Sequence, residues 1–163
     1  RAMDIPYYLP ESYATMAVQS SPDQGVSLFD AAERYGMASD ICSRQRAAVG
    51  LALMGMALRP DFVVGTAVLC DQTLKFFEIM ADFYRVPSFM LDSLYRADEH
   101  GLEYARHDIR NLIAFLEERG IAKYKLPEFL VVVPSFPMTP SGKIQKFMLR
   151  DGVANGTYVA ESA

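Results

Sequence analysis

Three consecutive stretches in the middle of the chain decide the fold: FVVGTAVLC at residues 62–70, DQTLKFFEIMADFY at residues 71–84 and PSFML at residues 87–91. The first is β-branched and almost wholly apolar from Phe62 to Leu69, which is typical of a central parallel strand covered on both faces. The second has the period of an amphipathic helix, and the third is a second short strand. Strand, helix and strand in about thirty residues predict a βαβ unit with parallel strands and a right-handed crossover.

Further elements are predicted on either side of this unit. Helices are expected at residues 11–18, at 27–35 with Gly36 as the stop, at 43–58 with Ser43 as N-cap, and at 101–118 with Gly120 as the stop. The C-terminal part predicts a strand at 128–133, a Pro-rich loop at 134–142, one or two helical turns at 144–150 and a frayed tail from Gly152. The predicted fold class is α/β: a small three-layer unit with a short parallel sheet and a βαβ core, plus a C-terminal strand and a Gly-Lys loop. That strand either joins the parallel sheet or packs beside it.

Length and composition restrict the class of protein. The 163 residues are 51% apolar and carry a net charge of -4, which is the range of one ordinary globular domain. The longest apolar run, Ala47 to Leu58, is too short to cross a bilayer, and the acidic balance argues against a nucleic-acid partner. The absence of a signal peptide and of a disulfide framework favours a cytoplasmic location. The chain begins at Arg1 rather than Met, so we expect it to start inside something longer.

The overall charge hides a difference between two segments. Residues 1–118 hold 10 Lys and Arg against 17 Asp and Glu, whereas residues 119–163 hold 6 against 3. Lys75 is the single lysine of the first segment, but four of the six basic residues in the second segment are lysines. An asymmetry of this kind is a reason to compare each segment with known motifs before the chain is treated as one unit.

Cys42 and Cys70 are the first candidate site. Cys70 follows the predicted strand and precedes a helix at Asp71, and Cys42 precedes the helix that begins at Ser43. Ligands collect at the carboxyl ends of strands in open α/β sheets, and a helix N-terminus favours a thiolate. The two thiols can converge on one metal, or each can be a small buried apolar side chain. Their spacing matches no short local metal motif, and an iron–sulfur cluster usually takes four thiolates.

The loop from Thr139 to Ile144 is the second candidate site. Lys143 directly follows Gly142 at the tip of a Pro-rich loop, where a lysine can bring a point positive charge to a phosphate or carboxylate in the cleft of another domain. The loop is not a Walker A motif, because the first glycine and the Ser or Thr after the lysine are missing. The alternative is a surface lysine after a turn.

The first segment resembles the 2-hydroxyacyl-CoA dehydratase and benzoyl-CoA reductase family of subunits over roughly residues 4–118. The resemblance rests on Asp40-Ile41-Cys42-Ser43-Arg44, Arg59-Pro60-Asp61-Phe62, Cys70-Asp71 and Val86-Pro87-Ser88-Phe89. It implies that Cys42 and Cys70 are ligands of a [4Fe-4S] cluster, whose third family cysteine has no counterpart in this chain. It also implies a second dehydratase-type subunit and an ATP-dependent activator that injects one electron. The cluster then passes the electron to a CoA thioester, and a ketyl radical eases loss of the hydroxyl group.

The second segment is similar to the C-terminal end of adenylate-forming acyl-CoA synthetases. The match runs from Gly120-Ile121-Ala122-Lys123 through Thr139-Pro140-Ser141-Gly142-Lys143 to Leu149-Arg150. It places Lys143 on the adenylation lysine of that family, which contacts the acyl carboxylate and the nucleotide phosphate, and it makes Gly142 and Lys143 nucleotide-binding residues. It therefore implies ATP or AMP, CoA and a carboxylic-acid substrate. The large nucleotide-binding domain of that family has no counterpart here.

Together these features predict a mosaic of a partial dehydratase-like half-domain at 1–118 and the terminal piece of an acyl-CoA synthetase domain at 119–163, with the join between residues 100 and 120. The preferred function is that of a [4Fe-4S]-dependent dehydratase subunit fragment, inactive alone, which handles an acyl-CoA. One alternative is an acyl-CoA ligase fragment that supplies the adenylation lysine, and another is a truncated module without catalytic activity. No nucleic-acid or membrane partner is expected.

Overall fold

The computed structural model describes residues 6–67, 70–92 and 98–162, and the chain divides into two units, residues 5–95 and residues 96–163. The first unit contains α1 (Pro10–Ser20), α2 (Pro22–Tyr35), α3 (Ser43–Leu53), β1 (Val63–Thr66), α4 (Asp71–Tyr84) and β2 (Ser88–Leu91). The second contains α5 (Glu99–Glu118), a 3-10 turn (Lys123–Lys125), β3 (Phe129–Val131), α6 (Lys146–Ala154) and β4 (Ala160–Ser162). The mixed helices and short parallel sheet confirm the predicted α/β class.

The βαβ unit is present as predicted, and β1 and β2 pair in parallel with Val63 opposite Ser88. Helix α4 packs on the sheet so closely that a Cβ at Gly65 would lie 2.5 Å from the Phe77 ring. The strand is shorter than the predicted 62–69, of which 68 and 69 lie outside the described residues. The prediction that both faces are covered is wrong for the described strand, because Val64 is 40% exposed while Val63 is buried.

The core of the first unit forms where α1, α2, α3 and α4 pack together. Helix α3 is buried around most of its circumference, as predicted, with Ala48 and Leu51 completely inaccessible to solvent. Its backbone meets that of α2 directly, since a Cβ at Gly50 would lie 2.1 Å from the Leu28 carbonyl oxygen. The predicted helix end at residue 58 is wrong: α3 stops at Leu53, because the chain turns through Gly55 at φ +68°. The predicted cap is also wrong by one residue, because Ser43 is helical and Cys42 is the N-cap.

The second unit is built on α5, which begins where the Asp98 carboxylate accepts a hydrogen bond from the Gly101 N–H at 3.0 Å. Gly120, at φ +73°, follows the helix as predicted. Strand β3 does not join the parallel sheet but pairs antiparallel with β4, in a separate sheet. The predicted frayed tail is therefore wrong, since residues 160–162 form β4. A bidentate contact ties this strand to α5, because Arg106 Nη2 donates to Glu161 Oε1 at 3.0 Å and Nε lies 3.0 Å from Oε2.

The division between the two units follows residue 95, so helix α5 groups with the C-terminal part of the chain. The predicted sequence join at 100–120 stays a prediction, because a structural boundary reports packing and not sequence origin. No helix within the three described ranges is both long and apolar enough to cross a lipid bilayer.

Candidate functional site

Both cysteines are N-cap residues in the structure, Cys42 for α3 and Cys70 for α4. Both are free thiols, Cys42 half-buried and Cys70 exposed. The first helical hydrogen bonds begin at their carbonyls, which accept from the N–H groups of Arg46 at 3.0 Å and Thr73 at 2.9 Å. The prediction that each thiol lies at a loop-to-helix junction is confirmed. The exposed N–H groups of a helix N-terminus carry partial positive charge and favour a negatively charged ligand.

A hydrogen bond links the two helix N-termini. The backbone N–H of Cys42 donates to the Gln72 side-chain oxygen at 3.2 Å, and Gln72 lies in the first turn of α4, two residues after Cys70. The bond therefore ties the N-cap of one helix to the first turn of the other. Sequence reasoning missed Gln72, because its contact depends on how α3 and α4 pack and no local pattern signals it.

The guanidinium of Arg46 holds the loop that leads into Cys42. It donates to the carbonyl oxygen of Ser39 and pairs with the carboxylate of Glu33 at the end of α2. It also lies 4.9 Å from the centre of the Phe29 ring, within the range of a cation–π contact. These contacts tie the loop before Cys42, at Ser39, to Arg46 of α3 and through Arg46 to Glu33 of α2.

Among the described residues, no further side chain joins the two cysteines to form a metal site. Within residues 6–67, 70–92 and 98–162, no group of three or more His, Cys, Asp or Glu side chains is arranged to hold a metal ion. Two cysteine side chains can supply two of the four ligands that an iron–sulfur cluster usually takes, and each lies at a helix N-terminus. This donor set suits an anionic iron–sulfur cluster as part of its ligands.

The predicted loop around Lys143 is a tight, internally bonded turn in the second unit. Met138 and Ile144 form an antiparallel bridge across it, and the Lys143 N–H donates to the Thr139 hydroxyl oxygen at 3.0 Å. Gly142 adopts φ +77°, a left-handed conformation that favours glycine, and Lys143 next to it is exposed. The structure thus presents Lys143 at the tip of an ordered turn directly before α6. Its catalytic role stays a prediction.

Two tyrosines of the first unit have shifted acidity that the sequence did not indicate. Burial raises the pKa of Tyr8 to about 12, with the nearby Tyr84 and Tyr13 adding to the shift. Burial also raises the pKa of Tyr84, against the opposing effect of the Arg59 charge. Neither hydroxyl group has a hydrogen-bond partner among the described residues.

Comparison with known proteins identifies the first part of the chain. A sequence profile of the family described as "2-hydroxyglutaryl-CoA dehydratase, D-component" matches residues 1–125, which is more than half of the sequence. The chain belongs to the 2-hydroxyglutaryl-CoA dehydratase D-component family. Both cysteines lie inside the matched range, so the predicted dehydratase resemblance is confirmed. The chain is also 28% identical over 120 residues to the (R)-phenyllactyl-CoA dehydratase alpha subunit of Clostridium sporogenes, covering 67% of this chain and 28% of that one.

Two ligases resemble the chain over shorter stretches. The medium-chain fatty-acid–CoA ligase of Escherichia coli is 41% identical over 58 residues, 36% of this chain and 9% of the ligase. The 2,3-dihydroxybenzoate-AMP ligase of Bacillus subtilis is 49% identical over 43 residues, 26% of this chain and 8% of the ligase. The predicted resemblance to adenylate-forming ligases is confirmed. The chain spans less than a third of the length of each of these three relatives.

Proposed function

We propose that this chain is part of an iron–sulfur dehydratase subunit in which Cys42 and Cys70 bind one cluster. The observation that carries the proposal is the Cys42 N–H to Gln72 hydrogen bond, because it joins the N-termini of the two helices that the cysteines cap. Family membership supports the same reading. When bound, a [4Fe-4S] cluster would supply one-electron transfer to a CoA thioester, the substrate class named for the relatives.

The chain's own residues would contribute binding and orientation. The two thiolates would hold the cluster, and the free N–H groups in the first turns of α3 and α4 would stabilise its negative charge. Gln72 is a positioning residue, because it holds the backbone of Cys42 and not the metal. A four-iron cluster usually takes four ligands, so we expect a further cysteine to come from the second half-domain that carries it in the dehydratase family. We also expect a second dehydratase-type subunit and an ATP-dependent activator as partners. We expect no dehydratase activity from this chain alone.

Anaerobic reconstitution of the purified chain with iron, sulfide and a small free thiol tests the proposal. We expect about two to four iron atoms per chain, since one or two chains can share a four-iron cluster, together with an EPR signal after reduction. Cys42→Ala and Cys70→Ala should each remove most of the iron. Ser43→Ala, an exposed change in the first turn of α3, is the matched control and should retain it. No iron in the native chain, or full iron in both cysteine variants, would overturn the proposal.

The ordered turn at Lys143 supports a second candidate function, that of the end of an adenylate-forming ligase. In that role Lys143 would neutralise negative charge on the acyl carboxylate and the nucleotide phosphate as ATP reacts. The test is acyl-dependent exchange between ATP and pyrophosphate after mixing the chain with a separately expressed nucleotide-binding domain. Lys143→Ala should abolish any stimulation, and Lys146→Ala, an exposed lysine at the start of α6, should leave it unchanged. Equal stimulation by both variants would contradict this role.

A further inference from the structure

A groove of about 420 Å³ lies in the second unit between the end of β3 and α6. Val131 and Val133 line it from the strand and the residues just after it. Leu149 and Val153 line it from α6, where their spacing of i and i+4 places them on one face of the helix. The volume is within the range of small-molecule sites, which is about 300 to 1,000 Å³.

The walls of the groove are mostly apolar and open to solvent. Phe136, which lines it after the strand, is 52% exposed, and Val153 is 40% exposed. The ring of Tyr158 also lines the groove and packs closely on α6, since a Cβ at Gly152 would lie 2.3 Å from a ring carbon. The Tyr158 N–H donates to the Gly152 carbonyl oxygen at 3.0 Å, so this wall is held at two points. An apolar ligand group that fills the groove would remove these side chains from water, which is favourable.

Arg150 brings an unpaired positive charge to the groove. Its exposed side chain lines the groove and has neither an ion pair nor a hydrogen bond to another side chain among the described residues. Three other arginines, in contrast, each pair with a carboxylate: Arg46, Arg106 and Arg119. Lys146 lies one helical turn before Arg150 and adds to the positive potential near the guanidinium. A free guanidinium presents a planar pair of N–H donors that fits a carboxylate.

The number of charges in the lining favours a carboxylate over a phosphate. Among the residues that line the groove, Arg150 is the one charged side chain, and the Tyr158 hydroxyl is the other polar side-chain group. A phosphate monoester with two negative charges would keep one of them unpaired beside apolar walls, which is unfavourable. A monocarboxylate matches the single guanidinium, and the phenol offers a further hydrogen-bond donor.

We propose that this groove binds a small monocarboxylic acid with an apolar tail. The carboxylate pairs with the guanidinium of Arg150, and the tail lies against Leu149 and Val153. Neither Gly142 nor Lys143 lines the groove, so this site is separate from the predicted adenylation lysine. It also uses neither cysteine, and it therefore does not depend on the proposed cluster.

Two probes of nearly equal shape test the proposal in the full chain. 4-Phenylbutanoate and 4-phenylbutanamide differ by a carboxylate in place of a neutral amide. NMR titration followed at the methyl groups of Val131 and Val153 should show at least about fivefold tighter binding of the acid. The reason is that a charge-assisted pair with a guanidinium is stronger than a neutral hydrogen bond, even when solvent screens it. Equal affinity of the two probes, tighter binding of the amide, or binding of neither would overturn the proposal.

Two further probes separate the contribution of the tail and distinguish a small acid from the end of a peptide. Acetate has the carboxylate without the tail and should bind at least about tenfold more weakly than 4-phenylbutanoate, because it buries little apolar area. N-acetylglycylphenylalanine carries a ring and a carboxylate behind two peptide groups. It should also bind more weakly, since the apolar walls offer those peptide groups no partner. Equal or tighter binding of acetate or of the dipeptide would overturn the proposal.

Variants assign the binding to this groove. Arg150→Gln should bring the affinity for the acid down to that for the amide, and Arg150→Lys should restore part of the preference. Val153→Glu places a negative charge among the apolar walls and should weaken both probes. Lys123→Gln, which removes a positive charge from an exposed lysine that does not line the groove, is the matched control and should keep the preference. Circular dichroism checks the folding of each variant. An unchanged preference in Arg150→Gln, or unchanged binding in folded Val153→Glu, would overturn the proposal.

Discussion

Replacing Gly50 by alanine tests the packing that places Cys42. A Cβ at this position would lie 2.1 Å from the Leu28 carbonyl oxygen, 2.7 Å from its carbonyl carbon and 2.9 Å from its Cα. All three are backbone atoms of α2, so no side chain can rotate away. The helices must separate by about 1 Å to restore a normal contact. Overpacking of this kind costs about 1 to 3 kcal/mol, and alanine regains about 1 kcal/mol of helix propensity. We therefore expect the free energy of unfolding of this unit to fall by up to about 2 kcal/mol.

Gly25→Ala is the matched control, because Gly25 is a second helical glycine that faces another helix. Its Cβ would lie 3.0 Å from a methyl group of Val18, and this side chain can move by a few tenths of an ångström. We therefore expect Gly25→Ala to be neutral or slightly stabilising. Urea unfolding followed by circular dichroism gives both free energies. Equal stabilities for the two variants would refute the close backbone contact between α2 and α3.

Three further predictions concern other parts of the chain. Because the pKa of Tyr8 is about 12 in the folded chain and about 10 when unfolded, the unfolded chain loses its proton first as the pH rises. The contribution of Tyr8 to stability is fully present below pH 10 and falls between about pH 10 and 12, by less than the roughly 3 kcal/mol of the full shift, because solvent screens this partly exposed side chain. Tyr8→Phe should reduce this fall in urea titrations at pH 9 and 11, and an unchanged fall would count against burial of the hydroxyl. Gly142→Ala forces an alanine into φ +77° and should lower the local stability of the turn by about 1 to 2 kcal/mol. The amide hydrogen of Lys143 should then exchange faster with solvent. Unchanged exchange would show that the turn tolerates a side chain. Arg106→Gln removes the ion pair to Glu161 and should destabilise β4 by up to about 1 kcal/mol. Hydrogen exchange at residues 160–162 measures this loss. Full retention of protection against exchange would mean that the ion pair does not hold this strand.

Local signals account for the elements that the sequence predicts well. Helix α4 has its predicted bounds, because Cys70 follows an apolar strand and the apolar period stops before Pro87. The same signals predict both thiols at helix N-termini. The predicted end of α3 is wrong because the residues after Leu53 are still apolar, while the turn at Gly55 depends on a positive φ that composition does not reveal.

Features that depend on distant contacts were not predicted. Strand β4 is only three residues long and its sequence, Ala160-Glu161-Ser162, has no apolar alternation, so its pairing with β3 depends on partners more than twenty residues away. The side-chain oxygen of Gln72 becomes relevant only once α3 and α4 pack side by side. The sequence therefore indicates the cysteines of the candidate site, and the structure adds the hydrogen bond between the two helices that they cap.

Thiol alkylation with mass detection tests the central claim, that one cluster engages both cysteines of this chain. The metal-free chain should take up two iodoacetamide labels under mild denaturation, because Cys42 and Cys70 are its only cysteines and both are free. After anaerobic reconstitution, the native chain should resist labelling at both positions, and removal of iron by a chelator should restore both labels together. Labelling of Cys42 and Cys70 at the same rate with and without iron and sulfide, or protection of one cysteine alone, would contradict the claim.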